Sequence, residues 1–293
     1  MQTSPATTLH EPLLESAPLA RQLAPQLCGS NPALGGDCLW YHGLWQDLRV
    51  MGLVMTPESH AAFLLEAFGN FASRRQRARV LISGAADYGL LAHVLWACGQ
   101  KGVQAEITVT DVCDTPLRLN RWYAERAGAR IETVRSDILA YQPASPFDMV
   151  CTHSFLGQFA RPDRGRIAAK WRDLLVPGGQ VVTANRLSES GDRPKRTFSP
   201  EEVRSFREKV LERARELRAA LQCDPEDLAR KAEEYGRRRG AYPVTFDEVA
   251  DLFRASGFRV RHLSRRAAED RHAVGVAGRP SQAEHVCAVA ERT

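Results

Sequence analysis

The chain lacks any apolar stretch approaching about 20 residues, so no helix read from it spans a bilayer. It lacks a basic segment followed by an apolar run near its start, so no secretory signal is expected. The CxxC pattern is missing as well. The seven cysteines are Cys28, Cys38, Cys98, Cys113, Cys151, Cys223 and Cys287, and no pair has zinc-site spacing. An odd number, several inside predicted strands or helices, reads as buried free thiols in a reducing compartment, with no metal expected. That reading points to the cytoplasm. A strong charge of one sign is also absent. Forty basic against 35 acidic residues leave a formal +5, spread along the chain, and no footprint for nucleic acid. Internal repeats and coiled-coil heptads are absent too. What remains is an ordinary globular composition, 44% hydrophobic and 26% charged over 293 residues. That length holds one large α/β domain with additions, or two small domains.

Residues 1 to about 30 are rich in Pro, Ser, Thr and Ala, and the first ten are expected to be disordered. A short helix is expected over Leu13 to Leu27. The segment from Cys38 to Leu48 is dense in aromatics at near-helical spacing. Thr56 and Pro57 open a helix as N-cap and first residue, with Ala62, Leu65, Phe68 and Phe71 on its apolar face. Strands then alternate with helices. Strands are expected at 80–83, 105–111, 130–134, 149–152 and 180–184, the last after a Pro177-Gly178-Gly179 turn. This alternation implies a parallel sheet covered on both faces. Residues 187–198 read as a polar loop. Ser199 to Glu202 and Thr245 to Glu248 are capping boxes for later helices, the first running to about Leu221. Phe258–Leu263 and His285–Ala290 close the chain as strands.

The richest stretch runs from Arg79 to Gly89. A β-branched strand ends in the small-residue turn Ser83-Gly84-Ala85-Ala86-Asp87, and an apolar helix pattern follows. Small residues there let a nucleotide-like ligand approach the backbone. The next strand ends in Asp111, placed to accept both hydroxyls of a ribose. The pair suits an adenosine-containing cofactor. Gly84-x-Ala86-x-x-Gly89 also fits a loose dinucleotide fingerprint, which leaves an NAD-binding oxidoreductase open.

Three further features separate these readings. Strand one begins late, after helical material. Phe147 to Ser154 forms a fourth strand running into a polar mouth. Leu174 to Val182 joins a helix to strand five through Pro-Gly-Gly. With these, the chain resembles the class I S-adenosylmethionine (SAM)-dependent methyltransferases over about Arg79–Arg186 and again over Thr245–Arg292. The resemblance implies a Rossmann-like α/β fold: a seven-stranded, mostly parallel sheet with an antiparallel last strand. Residues 1–72 would form an N-terminal segment and helical cover. Residues 73–293 would form the SAM-binding domain, with a helical insertion at 187–240.

The resemblance also implies the site. Gly84, Ala85 and Ala86 pass the methionine part of SAM, Asp111 binds the ribose, and Asp137 and Ile138 meet the adenine. Thr152 and His153 line the amino-acid end. Where the family usually has an acid, two positions before the first glycine, this chain has Ile82; Asp87, Ser83 or a backbone carbonyl is left to accept the SAM amino group. His153 is the leading candidate base, with a role in shaping the pocket equally open. Trp40, Tyr41, His42, Trp45 and Ser154 are candidate substrate contacts, the rings also being able to seal helices onto the sheet. Arg237-Arg238-Arg239 suits a carboxylate or phosphate, or a solvated helix end. The expected activity is methyl transfer to an O, N or C nucleophile of a small molecule, by a monomer or homodimer. Alternatives are cyclisation of SAM on itself with release of methylthioadenosine, NAD chemistry, or SAM binding without turnover.

Overall fold

The structure is a computed structural model that describes residues 9–29, 36–188, 195–267 and 284–293. Most of the segment expected to be disordered, residues 1–8, lies outside the described residues, as does part of the expected insertion, 189–194.

Helix α1 (Leu13–Leu27) and helix α2 (Leu39–Val50) come first. A 3₁₀ turn at Pro57–His60 then leads into α3 (Ala61–Ala72). The alternating unit is β1 (Arg77–Ser83), α4 (Gly89–Gln100), β2 (Gln104–Asp111), α5 (Asp114–Arg126), β3 (Ile131–Arg135), β4 (Phe147–His153), α6 (Arg161–Leu174) and β5 (Leu175–Arg186). A two-residue strand β6 (Arg196–Thr197) precedes α7 (Pro200–Glu216), α8 (Arg218–Leu221) and α9 (Pro225–Arg238), and β7 (Gly240–Ala241) pairs back onto β6. Helix α10 (Phe246–Ala255), β8 (Phe258–Ala267) and β9 (Glu284–Arg292) finish the chain. The large sheet has seven strands in the order β3-β2-β1-β4-β5-β9-β8. The first five are mutually parallel, and β9 runs antiparallel to both β5 and β8. This is the expected fold.

Helices on both faces explain the sequence of the central strands. Val80, Leu81 and Ile82 are all fully buried, so β1 is apolar on consecutive positions rather than alternating ones. β1 lies between β2 and β4, so the connections leave it on opposite sides. Strand order reverses there, and the crevice at the carboxyl ends of β1 and β4 is where such sheets hold ligands.

Three local expectations are corrected. Pro177-Gly178-Gly179 is not a free turn before a strand but part of β5. Gly178 takes φ +73°, and the β4–β5 register shifts between Phe147 and Met149, so the residues form an irregularity within the ladder. The helix after Ser199 breaks at Leu217 rather than running unbroken to Leu221. The helix after Pro57 starts as a 3₁₀ turn, and α3 buries Phe63, Leu64, Ala67, Phe68 and Phe71 while Ala62 is exposed and Leu65 half-buried. A stripe at alternating three- and four-residue steps wins over the uniform three-residue step.

Two distant segments make one cover. Leu44, Leu48 and Met51 of α2 and its exit share a core with Phe206 and Val210 of α7 and Leu228 and Tyr235 of α9. Ala86 of the β1 turn packs against that core, so the cover rests on the sheet's carboxyl edge. Its seat is polar. Arg49, with 1% of its side chain exposed, lies 2.7 Å from Glu11 and 3.1 Å from Asp87. Ser16 on α1 adds a hydroxyl contact of 3.0 Å to Tyr88, whose ring stacks on Tyr123. No helix of the described residues is long and apolar enough to cross a membrane.

Arg49→Met should destabilise the fold by about 3–5 kcal/mol in urea denaturation, because it strands two buried carboxylates without their cation. A loss under about 1 kcal/mol would show that Arg49 carries no such weight.

Candidate cofactor and substrate site

The carboxyl ends of β1, β2, β3 and β4 open on one cavity of about 1790 Å³. Gly84, Ala85, Ala86 and Asp87 line it from the β1 turn. Gly84 has φ +74°, and a Cβ there would lie 2.4 Å from the Phe155 ring. Its N–H donates to the Thr110 carbonyl at 2.9 Å, tying the turn to β2. Asp111 ends β2. One of its oxygens accepts the Ala85 N–H at 2.9 Å and the other the Cys113 N–H at 2.8 Å. Two backbone donors thus aim the carboxylate across the turn and leave each oxygen a free lone pair for a diol. Burial pushes its pKa up to about 6. Asp137 is exposed beyond β3 and accepts the Leu139 N–H at 2.9 Å, while Ile138 is buried; both line the cavity.

Ser83 and Thr152 are not brought to the cavity, which corrects their assignment as cofactor contacts. Ser83 is fully buried and accepts the Trp171 indole N–H at 3.0 Å. Thr152 is buried within β4, in register with Thr183. Side chains alternate across a strand, so Thr152, one short of the end of β4, turns into the layer beneath, while Ser83, the last residue of β1, faces Trp171 on α6.

Asp87 is the one acid of the β1 turn, and it is heavily engaged. It accepts the Trp45 indole N–H and the Gly89 N–H, each at 2.6 Å, and pairs with Arg49. With Glu11, two carboxylates face one guanidinium, which leaves one net negative charge beside the cavity. The family's usual acidic position is Ile82, fully buried in the core.

The opposite wall is aromatic. Tyr41 stacks on Trp45 at 5.0 Å and on Tyr235 at 5.8 Å, and Trp40 tilts against Tyr235 at 5.6 Å. Arg238 lies over Trp40 and Arg239 over Tyr41. Of the Arg237-Arg238-Arg239 run, Arg237 is exposed and pairs with Glu233, while Arg238 and Arg239 border the cavity. Tyr235 was not foreseen. Its i−7 partner Leu228 and i−3 partner Ala232 share its buried face, an amphipathic signal that was present in α9.

His153 lies at the mouth of β4, its Nε2 3.0 Å from His60 Nδ1. The His60 ring packs on His285 at 4.4 Å. Burial holds the His153 pKa well below the ordinary imidazole range, reinforced by His60, His285, His93 and Arg49, all cationic when charged. The ring is therefore neutral at physiological pH. Ser154 follows with φ +52°, a left-handed turn that sends Phe155 onto Gly84. His42 borders the cavity, yet its Nδ1 lies 3.5 Å from the Cys28 sulfur. The cysteines are free and, apart from half-buried Cys223, buried, as expected; three of them, Cys28, Cys38 and Cys113, converge beside His42.

A family model described as "Methyltransferase domain" matches residues 87–179, from the turn's carboxylate to the start of β5. That match covers about a third of the chain and, with the seven-stranded sheet, makes it similar to the class I methyltransferases. Solved structures share the methyltransferase architecture. The S-adenosylmethionine-dependent methyltransferase SibL, in its apo form, is 18% identical over 87% of this chain and 58% of its own, with a TM-score of 0.51. This chain therefore spans little more than half the length of SibL. The 1,6-didemethyltoxoflavin-N1-methyltransferase of Burkholderia thailandensis, with bound 1,6-didemethyltoxoflavin and S-adenosylhomocysteine, is 19% identical. That match covers 99% of this chain and 94% of the other, with a TM-score of 0.52. No curated protein matches the sequence. These structural neighbours are an S-adenosylmethionine-dependent methyltransferase and one holding S-adenosylhomocysteine, and the cavity's donor set would fit that cofactor. Gly84, Ala85 and Ala86 line the cavity with small residues, Asp111 presents free acceptors, and Ile138 offers an apolar face.

Asp111→Ala should weaken SAM binding about 10–100-fold by calorimetry, since charge-assisted hydrogen bonds contribute about 1.5–3 kcal/mol. Unchanged affinity would remove Asp111 from the ribose. Gly84→Ala should also lose affinity, because its Cβ meets Phe155 in a backbone conformation L-residues avoid.

Proposed function

We propose that this chain transfers the methyl group of SAM to an O, N or C nucleophile of a small, flat molecule. One observation carries the proposal: the cavity joins the cofactor-type strand ends to the wall of Trp40, Tyr41 and Tyr235. Bound SAM supplies the electrophile, a methyl group on a sulfonium sulfur. Asp111 would hold the ribose and Asp137 with Ile138 the adenine. The net negative charge of the Glu11–Arg49–Asp87 group would attract the α-amino end, in place of the acid absent at Ile82. The toxoflavin-precursor enzyme, of the same fold, holds a small molecule together with S-adenosylhomocysteine, which supports the same reading here.

The acceptor would stack on the aromatic wall, under cover of α2 and α9. Alignment and exclusion of water then account for most of the rate. Arg186 is exposed at the end of β5, and partial desolvation together with Arg196 and Arg239 lowers its pKa. An acidic group on the acceptor would offset these cations. His153 would take the acceptor's proton. Being only weakly basic, it suits an acceptor whose own proton is readily lost. The free thiols support a reducing cytoplasm as the working compartment, and the enzyme would work there as a monomer or homodimer.

The alternatives part company at the products. S-adenosylhomocysteine marks methyl transfer, and methylthioadenosine marks cyclisation of SAM. An antiparallel β9 between β5 and β8 argues against NAD chemistry, whose sheets run parallel throughout.

Incubation with SAM and a library of planar acidic heteroaromatics, followed by mass spectrometry, should give S-adenosylhomocysteine and a methylated acceptor. Methylthioadenosine as the sole product would overturn the proposal. His153→Gln should lower kcat about a hundredfold or more with SAM affinity unchanged. At saturating cofactor the wild-type kcat should stay flat through about pH 6.5, because the ring protonates only at lower pH. An acid limb at that pH, lost in His153→Gln, would contradict the depressed basicity.

A further inference from the structure

We infer that Cys28, Cys38, His42 and Cys113 form a closed site for one structural zinc ion. Their ligand atoms all lie within 4.8 Å of one another, and all four residues are buried. The Cys28 and Cys113 sulfurs are 3.7 Å apart, Cys38 and Cys113 3.4 Å, and Cys28 sulfur to His42 Nδ1 3.5 Å. A tetrahedral zinc with bonds near 2.3 Å to sulfur and 2.0–2.1 Å to nitrogen requires about 3.8 Å between sulfurs and about 3.6 Å from sulfur to nitrogen. These three distances agree with the polyhedron to within a few tenths of an ångström. The sulfurs are far beyond disulfide bonding distance, and all four residues are present as separate side chains.

The fold delivers the ligands from three places. Cys28 caps the C-terminus of α1, Cys38 is the N-cap of α2, and His42 follows one turn later on the same helix face. Cys113 lies between β2 and α5. Thr115 adds its hydroxyl 3.2 Å from the Cys28 sulfur, the kind of outer hydrogen bond that steadies a coordinating thiolate. Three thiolates and an imidazole select zinc over harder ions, and four protein ligands leave no open position for chemistry. Three neutral thiols packed only as small apolar groups would not need an imidazole nitrogen among them.

The ion would join the N-terminal helices to the loop after β2. That loop includes the Cys113 N–H, which donates to Asp111. The inference does not depend on methyl transfer, since its readouts are metal content and spectrum.

The full-length chain, purified without chelator, should contain about one zinc per chain by elemental mass spectrometry. Exchange for cobalt(II) should give thiolate-to-metal charge-transfer bands and the strong visible bands of a tetrahedral site. Cys113→Ser and Cys38→Ser should lose both, and Cys223→Ser, outside the cluster, should keep both. Should the cluster variants fail to fold, the wild-type protein decides alone: a chelator should release the zinc and lower Tm by several degrees. Substoichiometric trace zinc, a cobalt spectrum without thiolate bands, or a disulfide found by mass within the cluster would each overturn the site.

Discussion

A guanidinium withdrawn from water governs how the cover sits on the sheet. Burying Arg49 is unfavourable unless carboxylates replace its hydration, and Glu11 does so at Nη2 and Asp87 at Nη1. Asp87 has a second duty at the start of α4. There it accepts the Gly89 N–H, where the helix dipole favours negative charge. A third donor, the Trp45 indole, comes from α2. One side chain thus fixes the cofactor turn, the helix that follows it and the roof above it. A shift of α2 would break all three contacts together, so the cavity's shape is coupled to the docking of the N-terminal helices.

The fold was legible because its signals are local. Strands β1 and β2 announce themselves as short β-branched runs, and α7, α9 and α10 start at capping side chains, Ser199, Asp224 and Thr245. Helix α1 matches its expected span, Leu13–Leu27, at both ends. Failures fell where tertiary contacts overrule local chemistry. Pro177-Gly178-Gly179 looks like a turn, yet pairing with β4 holds it in the ladder. Ser83 and Thr152 have the right residue type at the right end of a strand. The pleat nonetheless points them inward, and a register of one residue decides that.

The site divides in the same way. Gly84, Asp111, Asp137 and His153 follow from position at a strand's mouth, and all reach the cavity. Long-range partners do not follow. Nothing near His153 in the chain points to His60, 93 residues earlier, or to His285. The cysteines show the same limit. Ligand spacing in sequence is diagnostic only when one hairpin or loop supplies the pairs. Here Cys28 and Cys113 stand 85 positions apart and meet because α1 packs against α5, whose N-cap is Cys113.

The two walls of the cavity also constrain the chemistry. Trp40, Tyr41 and Tyr235 hold one another by stacking, and α9 carries Tyr235 from the far insertion. On the proposed reading, a planar molecule on that wall would be fixed in tilt and depth by residues of two segments, with its nucleophile turned to the strand ends. Displacement at a methyl group is an in-line reaction, so such alignment lowers the barrier without any group on the protein changing charge. A neutral His153 is consistent with that division of labour. Rings and backbone set the geometry, and proton transfer is left to a base too weak to act on a strongly basic acceptor.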